Sequence, residues 1–440
     1  MEKYDVVVIG SGPAGNSAAY SLKEQGKKVA IIESDLWGGT CPNRGCDPKK
    51  MLLSGVEAKK RIETMIGKGF EQTPEIIWEE LMAFKQSYTD TVPENTKKGL
   101  AAAKIDFFYG QASFIDTNHI TVDQEIVAAD QFLIATGQRP AVLPIDGQDL
   151  LQSSTDFLEL EHLPEKIAFI GAGYIAFELA MIANAAGSEV HIIHHNERPL
   201  KEFDQELVMA LVEHMKSAGI QFHFNVDTKA VEHLQQYRII GEAFELSADM
   251  VIGATGRIPN IEELNLENAG VAYDKKGIKV DNQLRTTQRT IFACGDVLSK
   301  TQPKLTPVAG FEASYVAKAL NGETAAINYP LIPTIVFGDQ RLARIGLSEK
   351  ELAVHPERYH AQTIDLSSWY TYRRLNDQGA KIKLIYDETD TIVAITCLSQ
   401  VADEVINYLL IVLTKKMTHE EVEKYIFAYP SPASDLSYFI

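Results

Sequence analysis

Two cysteines stand five positions apart in the stretch GGTCPNRGCDPKK, residues 38–50, of a 440-residue chain that contains four cysteines. Cys41 and Cys46 have three uses open to them: a structural disulfide, half of a metal site, or a pair of thiols that does redox chemistry. Four cysteines in this length do not make a disulfide scaffold, and a structural zinc site needs two further ligands, usually at tighter spacing. Redox-active thiols are therefore favoured, and no metal is expected.

Reactive thiols need structural elements that position them and a cofactor that supplies electrons. The start of the chain predicts a site for such a cofactor. A β-branched run at residues 6–9 leads into GSGPAG, a helix follows to about residue 25, and VAIIE ends in an acid 23 residues after the first glycine. Strand, glycine turn, helix and strand in this order are the context of a dinucleotide-binding unit, with the pyrophosphate at the helix N-terminus. The predicted contacts are Gly10, Gly12, Pro13, Ala14, Gly15 and Glu33.

The same plan occurs a second time, which implies a second nucleotide site. KIAFI precedes GAGYIA, a helix follows, and VHII ends at His194, again 23 residues after the first glycine. An acid there would repel a 2′-phosphate, whereas His194, His195 and Arg198 are donors that can hold one. NADPH is therefore favoured over NADH, with a solvated loop as the alternative. The predicted contacts are Gly171, Gly173, Tyr174, Ile175, His194, His195 and Arg198.

Composition and charge exclude several classes of protein. The chain is 45% hydrophobic and 23% charged, as in globular proteins, and its formal charge of −18 disfavours nucleic acid and anionic lipid surfaces as partners. The opening MEKYDVVVIG runs directly into a strand, so no signal peptide is expected, and the apolar run at residues 405–413 is too short to span a membrane. A cytoplasmic protein is the expectation.

The segments that interrupt the regular strands and helices predict three domains, one of them discontinuous. FLIATGQRP and VIGATGRIP, at residues 132–140 and 251–259, bracket the second nucleotide unit as crossings between domains, and IFACGDV supplies a late strand of the first domain. The predicted fold is α/β, with two Rossmann-like domains and a C-terminal α+β domain. The predicted boundaries are 1–145 with 260–328 for the first domain, 146–259 for the second and 329–440 for the third.

Taken together, these segments resemble a known family. The chain is similar to the flavin-dependent pyridine nucleotide-disulfide oxidoreductases, the group of glutathione reductase, dihydrolipoamide dehydrogenase and mercuric reductase. The resemblance covers essentially the whole chain and rests on GSGPAG, GGTCPNRGCDPKK, both ATG segments, GAGYIAFE, ACGD with LTPVA, and PTIVF, in this order. It implies FAD on the first unit, a reduced nicotinamide cofactor on the second, and a homodimer with an active site shared between subunits.

The resemblance also implies a role for each matching residue. Cys46 would be the thiol next to the flavin and Cys41 the interchange thiol that attacks the substrate, with Lys50 and Glu178 as an ion pair beside the flavin. Tyr174 would be an aromatic gate over the flavin, and Asp296 would hold its ribityl chain. The remaining positions implied to contact FAD are Gly39, Thr40, Ala112, Thr136, Gly137 and Thr306, and Gly256 is implied to contact the nicotinamide cofactor.

Three residues depart from the family pattern and affect this interpretation. Asp47 stands where the family has an apolar residue, and Lys49, where it has a small hydroxyl residue, is interpreted as a surface charge. Near the C-terminus, AYPSPASDL puts Tyr429 in place of the family's proton-donating histidine. A phenol is a weaker proton donor than an imidazolium by about 3.5 pKa units, so an acidic leaving group is expected; the alternative is that Tyr429 only packs.

These observations predict an FAD-dependent NADPH:disulfide oxidoreductase similar to glutathione reductase, with a small-molecule or protein disulfide as substrate. One alternative keeps the flavin and reduces a quinone, an oxidant or a metal ion, without using the thiols. Another is a redox-sensing binding protein that does not turn over. The lack of a cysteine after Cys397 disfavours a mercuric reductase, and the missing histidine disfavours a dihydrolipoamide dehydrogenase.

Overall fold

The computed structural model describes residues 3–440 and divides them into two compact units. The first unit comprises residues 3–51, Ala83–Ala141 and Gly256–Asn328, and the second comprises Leu52–Met82, Val142–Thr255 and Tyr329–Ile440. The boundaries of the three predicted domains stay a prediction.

The first unit is built on a seven-stranded sheet with a parallel centre. The first strand, Lys3–Ile9, pairs in parallel with Val29–Glu33 on one side and with Glu125–Ile134 on the other, and Ile291–Ala293 joins the latter strand in parallel. The β-branched residues of Lys3–Ile9 are buried because both faces of a parallel sheet are covered. The carboxyl ends of these strands therefore meet at one edge, where ligands of open α/β sheets bind.

Helices and short strands complete this unit. The remaining strands are Asp106–Tyr109, Ala112–Phe114, His119–Val122, Gln138–Pro140, Arg257–Pro259, Tyr273–Asp274 and Gly277–Ile278. The helices are Pro13–Glu24, Thr40–Arg44, Val92–Ala102 and Thr306–Ala319, while Cys46–Glu63 and Trp78–Thr89 each begin in one unit and end in the other.

The second unit contains three sheets. A parallel sheet has the order Gln221–His223, Glu189–Ile193, Lys166–Ile170 and Met250–Gly253. An antiparallel sheet of three strands comprises Thr228–His233, Tyr237–Gly241 and Phe244–Ala248. An antiparallel sheet of five strands has the order Thr334–Val336, Arg341–Gly346, Ile392–Ser399, Lys381–Tyr386 and His360–Asp365. The helices are Ser154–Leu158, Tyr174–Ala185, Gln205–Ser217, Glu349–Leu352, Tyr370–Arg373, Ala402–Lys415 and His419–Val422.

The predicted fold class is confirmed. Both nucleotide units have the expected strand, glycine turn, helix and strand, and the chain beyond residue 329 forms the expected antiparallel sheet with helices. The strand predicted in IFACGDV is Ile291–Ala293 and pairs with Glu125–Ile134. The sequence pattern predicts helices near residues 402–414 and 418–425 in this part of the chain; the second of these is shorter than predicted and ends at Val422. Within residues 3–440, no helix is long and apolar enough to cross a bilayer.

Candidate active site

The first glycine turn forms a close-packed cradle at the edge of the first unit's sheet. Pro13–Glu24 begins directly after Gly12, so its first backbone N–H groups have no side-chain cap and can bind an anion. A Cβ added to Gly15 would lie 1.8 Å from the carbonyl oxygen of Gly10, and one added to Gly39 would lie 2.5 Å from Cα of Gly12. Only glycine allows these backbone segments to approach so closely, as expected where backbone meets a pyrophosphate.

The acid that follows this turn is held in a fixed position. Glu33 ends its strand, and its Oε2 accepts hydrogen bonds from the backbone N–H and the hydroxyl of Ser11, at 2.9 and 2.8 Å. Its Oε1 accepts from the backbone N–H groups of Ser34 and Asp35 at 3.0 and 2.9 Å. Four donors orient the carboxylate beside the helix N-terminus, where it can also accept from ribose hydroxyls.

Asp296 provides a second test of whether the cradle fits FAD. It lies in the turn Gly295–Val297 after the strand Ile291–Ala293, and its Oδ1 is buried without a hydrogen-bond partner among residues 3–440. Burial raises the pKa of Asp296, while Lys300, Lys304 and Arg257 oppose that rise. A buried acceptor needs a donor, and the hydroxyl groups of a ribityl chain are suitable donors. These residues therefore fit FAD.

Other positions predicted to contact FAD lie in the same unit. Thr40 begins the helix Thr40–Arg44, and Ala112 begins the buried edge strand Ala112–Phe114. The hydroxyl of Thr136 donates to the carbonyl of Asn260 at 2.7 Å, and the carbonyl of Gly137 accepts from the backbone N–H of Asn260 at 3.0 Å. Thr136 and Gly137 therefore connect the first ATG segment to the residue that directly follows the second, and their contact with FAD stays a prediction.

The two cysteines are free thiols that lie next to each other, and the hydroxyl of Thr306 contacts both. Cys41 lies in the short helix Thr40–Arg44, and Cys46 is the first residue of Cys46–Glu63. The hydroxyl of Thr306 lies 3.1 Å from Sγ of Cys41 and 3.7 Å from Sγ of Cys46. Thr306 is itself the first residue of Thr306–Ala319, so two helix N-termini meet at the thiols and favour negative charge there.

This environment makes the two thiols chemically unequal. A hydrogen bond from Cys41 is the largest cause that lowers the pKa of Cys46, to about 6, and Thr306, Lys49 and Lys50 lower it further against the effect of burial. The pKa of Cys41 is raised, first by its hydrogen bond to Cys46 and then by burial. The reduced pair therefore carries its negative charge on Cys46 and its proton on Cys41.

Sequence reasoning was wrong about Lys49 and missed a hydrogen-bonded neighbour of the thiols. The side chain of Lys49 is 7% exposed and acts on Cys46, so it is not a surface charge. Sγ of Cys41 donates to Oδ1 of Asp47 at 3.9 Å, and the hydroxyl of Tyr88 donates to Oδ2 of Asp47 at 2.7 Å. Asp47 was visible as a departure from the family, but Tyr88 is 41 positions away and carried no signal.

The other two cysteines are remote from this chemistry. Cys294 and Cys397 are fully buried in the cores of the first and second unit, respectively, and burial raises the pKa of each thiol. Cys397 lies in the strand Ile392–Ser399 and Cys294 directly follows the strand Ile291–Ala293, so both are inert core residues. Among residues 3–440, no cluster of three or more histidine, cysteine, aspartate or glutamate side chains could hold a metal ion.

The second glycine turn lies in the second unit and repeats the features of the first. Tyr174–Ala185 begins after Gly173, and a Cβ added to Gly171 would lie 2.4 Å from the carbonyl oxygen of Ala254. At the end of the strand Glu189–Ile193, burial and the neighbouring His195 lower the pKa of His194. These residues fit a dinucleotide, with its pyrophosphate at the N-terminus of Tyr174–Ala185.

The remaining predicted residues divide between the units. Glu178 is buried, and its Oε1 accepts the backbone N–H of Phe337 at 3.1 Å, whereas Tyr174, one turn earlier in the same helix, is 43% exposed. Both lie in the second unit and Lys50 lies in the first, so the pairing of Lys50 with Glu178 stays a prediction. Gly256 lies in the first unit, where its carbonyl accepts the backbone N–H of Ala141 at 3.0 Å.

Tyr429, the predicted substitute for the family's histidine, is exposed near the C-terminus. Its ring is 71% exposed and stacks on Tyr370, with the ring centroids 6.0 Å apart. The stretch that follows forms a 3-10 helix, Pro432–Tyr438. An exposed phenol here can face a second subunit, and its role as a proton donor stays a prediction.

Comparisons with known proteins agree with this geometry. Residues 4–313 match the family described as pyridine nucleotide-disulphide oxidoreductase, and residues 332–437 match the dimerisation domain of that family. The chain is 33% identical to a glutathione reductase from Burkholderia cepacia over 448 residues, covering 99% of this chain and 98% of that protein. It is 35% identical to a mercuric reductase from Staphylococcus aureus, covering 79% of this chain and 65% of that protein.

The chain is also similar in structure to a flavoprotein disulfide reductase. The HOCl-induced flavoprotein disulfide reductase RclA from Escherichia coli superposes with a TM-score of 0.88 at 26% identity, covering 98% of each chain. Its Cu(II) complex superposes with a TM-score of 0.90 at 26% identity, covering 100% of each chain.

Proposed function

Because the chain belongs to the pyridine nucleotide-disulphide oxidoreductase family, we propose that Cys41 and Cys46 are its redox pair and that a low-molecular-weight disulfide is its substrate. Membership makes it an NAD(P)H-dependent flavoprotein disulfide oxidoreductase, and its glutathione reductase relative indicates NADPH. The match to a dimerisation domain supports a homodimer. A cytoplasmic location stays a prediction.

The observation that carries this proposal is the inequality of the two thiols. Bound FAD supplies a carrier that accepts a hydride from NADPH and delivers two electrons to a disulfide. The chain's residues then keep Cys46 as a thiolate with a pKa of about 6, while Cys41 keeps its proton. In the proposed roles, Cys41 attacks the substrate disulfide and Cys46 resolves the mixed disulfide, regenerating the Cys41–Cys46 bond.

An anaerobic titration with NADPH tests these roles. The wild-type holoenzyme should take up two electrons and show the long-wavelength absorbance of a thiolate beside an oxidised flavin. Cys46→Ser should abolish this absorbance because it removes the thiolate, whereas Cys41→Ser should keep it. Absence of the absorbance from the wild type, or its persistence in Cys46→Ser, contradicts the proposal.

The proposed substrate class follows from the tyrosine that stands in place of the family's proton-donating histidine. With Tyr429 of the partner subunit as the candidate acid, disulfides whose thiols have low pKa values should be the better substrates, because their thiolates leave without full protonation. A panel of disulfides with graded thiol pKa values tests this expectation through kcat/KM. Equal efficiency across the panel would show that protonation of the leaving thiolate does not limit the reaction.

The preference for NADPH is supported by the donors that follow the strand Glu189–Ile193. We expect Arg198→Ala to raise the KM for NADPH about tenfold, because it removes a charged partner of the 2′-phosphate, and to leave the KM for NADH nearly unchanged. Lys216→Ala, which removes an exposed cation from the helix Gln205–Ser217, is the matched control. An equal rise of both KM values would assign Arg198 a structural role instead.

Reduction of a metal ion is a second candidate, which the Cu(II) complex of the similar E. coli flavoprotein favours. Oxidation of NADPH that depends on Cu(II) and survives Cys41→Ala would establish it as a separate activity. A Cu(II) rate below the rate with disulfides, and lost in Cys41→Ala, would leave disulfide reduction as the main function.

A further inference from the structure

Asp47 connects the interchange thiol to a tyrosine at the surface. Its Oδ1 lies 3.9 Å from Sγ of Cys41 and is the second acceptor, beside Cys46, toward which the one proton of this thiol can turn; its Oδ2 accepts from the hydroxyl of Tyr88 at 2.7 Å. Asp47 is the second residue of Cys46–Glu63, and Tyr88 lies in the last turn of Trp78–Thr89, so two helices fix the carboxylate. Tyr88 is 38% exposed, which opens the network to solvent.

The charges around Cys41 favour the proton on its sulfur. The ionisable groups that act on the two thiols are the thiols themselves, Asp47, Lys49 and Lys50, with Tyr88 behind Asp47. The two lysines act on Cys46, whereas the negative charge of Asp47 adds to the rise in the pKa of Cys41. The hydrogen bond to Asp47 is the main cause that raises the pKa of Tyr88, to about 12, so Tyr88 stays a donor to the carboxylate.

We propose that Asp47 accepts the proton of Cys41 when this thiol attacks a disulfide and passes it to the departing thiolate, with Tyr88 as a positioning residue. The inference rests on the proposed function, because it requires Cys41 to be the attacking thiol. It gives Asp47, the departure from the family pattern, a place in the reaction.

Atoms and electrons balance in this step. Sγ of Cys41 forms a bond to one sulfur of R–S–S–R′ as the substrate's S–S bond breaks, and its proton moves to Oδ1 of Asp47. The departing R′–S⁻ takes this proton and leaves as R′–SH. Cys46 thiolate then attacks Sγ of Cys41 in the mixed disulfide and releases R–S⁻, which takes the second proton from Tyr429 of the partner subunit or from water.

A carboxylate suffices for this transfer although it is a weak base. Carboxylic acids are much stronger acids than thiols, so a proton is held less favourably by a carboxylate than by a thiolate. The proton starts on one thiol and ends on another, however, so the overall transfer is nearly neutral and Asp47 holds the proton only in passing. The same carboxylate keeps the proton on Cys41 until a disulfide arrives.

Two rates measured on Asp47→Asn holoenzyme test the inference, because they should change in opposite directions. After reduction with NADPH, alkylation of Cys41 by iodoacetamide at pH 7 should be about fivefold faster, because loss of the charge 3.9 Å from its Sγ lowers the pKa of the thiol. Trypsin cuts after Arg44, which separates the Cys41 peptide from Cys46 for mass spectrometry. Disulfide turnover should be about 10²-fold slower and should recover as the pH rises and supplies thiolate.

Conservative variants separate catalysis from structure. Tyr88→Phe leaves the charge of Asp47 in place but removes the hydrogen bond that orients its carboxylate. Disulfide turnover should therefore fall less than in Asp47→Asn, and its pH profile should be shifted. Asp106→Asn and Tyr109→Phe change exposed residues of the strand Asp106–Tyr109 in the same unit and should match the wild type in both assays.

The outcomes that overturn the inference are distinct from failure of the proposed function. If Asp47→Asn accelerates both alkylation and disulfide turnover, Asp47 only suppresses the nucleophile and transfers no proton. If neither rate changes, Asp47 has no part in the reaction. Absence of the thiolate absorbance from the wild type contradicts the proposed function itself and removes the inference with it.

Discussion

At the scale of the residue, the central feature is that two neighbouring cysteines have opposite protonation. Cys46 combines a helix N-terminus, a hydrogen bond from Cys41 and two nearby lysines, and these outweigh the burial that would protonate it. Cys41 receives the opposite influence from Cys46 and from Asp47. A thiolate held next to a protonated thiol suits a pair in which one member stays with the flavin and the other meets the substrate.

The pKa of Cys46 gives a pH dependence that can be measured. Because this pKa is lowered to about 6, the thiolate persists above pH 6 and is lost as the pH falls through that value. The long-wavelength absorbance of the two-electron-reduced holoenzyme should therefore titrate away with a midpoint near 6. Thr306→Val removes a hydrogen bond to the thiolate and should raise the midpoint by about 0.5–1 pH unit.

Thr324→Val changes an exposed threonine in a loop of the same unit and is the control for this titration. A midpoint near the ordinary cysteine value in the wild type would contradict the assigned asymmetry. A midpoint of 6 that does not move in Thr306→Val would assign the stabilisation to the hydrogen bond from Cys41, the helix N-terminus and the two lysines, without Thr306.

At the scale of the element, the sequence predicted what local pattern determines. The strand, glycine turn and helix over residues 3–24 follow from a β-branched run and closely spaced glycines, and the helix after Cys46 follows from the residues of GCDPKKMLL. The helix predicted over residues 418–425 was too long at its C-terminal end. The segment EKYIF contains residues that favour helix, but the observed helix ends at Val422. Local preference predicts that a helix exists better than where it ends.

Alanine substitutions at two helical glycines, one packed against the first glycine turn and one with open space around it, should change stability in opposite directions. Gly15→Ala puts a Cβ 1.8 Å from the carbonyl oxygen of Gly10, so it should destabilise the apoprotein by about 1–3 kcal/mol and reduce bound FAD. Gly310→Ala, in Thr306–Ala319, meets nothing within 4 Å and should stabilise the apoprotein by about 0.5–1 kcal/mol.

Thermal denaturation of the apoproteins and the ratio of flavin to protein absorbance in the purified holoproteins provide the two measurements. Equal effects of the two alanines would mean that helix propensity, and not the close approach of the turn, determines stability at Gly15. Normal FAD content in a destabilised Gly15→Ala would show that the turn can relax around the cofactor.

At the scale of the whole molecule, the sequence could indicate the redox thiols but not the network behind them. Cys41, Cys46 and both glycine turns are recognisable because their spacing is local. The contacts of Thr306 with the thiols and of Tyr88 with Asp47 span 265 and 41 positions, respectively, and depend on how helices pack in the folded unit. Family resemblance indicated that Thr306 is functional, whereas nothing in the sequence indicated Tyr88.

The C-terminal part of the chain leads to a prediction about the dimer. Ile426 is fully exposed in the segment that matches the dimerisation domain, between the exposed side chains of Tyr425 and Tyr429. An exposed aliphatic side chain among aromatic ones is typical of an interface, so Ile426→Glu should shift the protein from dimer to monomer in analytical ultracentrifugation. Leu234→Glu, which changes another exposed aliphatic residue outside that segment, should stay dimeric.

The monomer separates reduction of the thiols from use of the substrate. The residues predicted to contact FAD and both cysteines belong to one unit of one subunit, so Ile426→Glu should keep the thiolate absorbance on reduction with NADPH. If the active site is shared, disulfide turnover should fall at least about tenfold, because the groups from the partner subunit are lost. A monomer with full disulfide turnover would contradict a shared site and would confine the whole proton transfer, Asp47 included, to a single subunit.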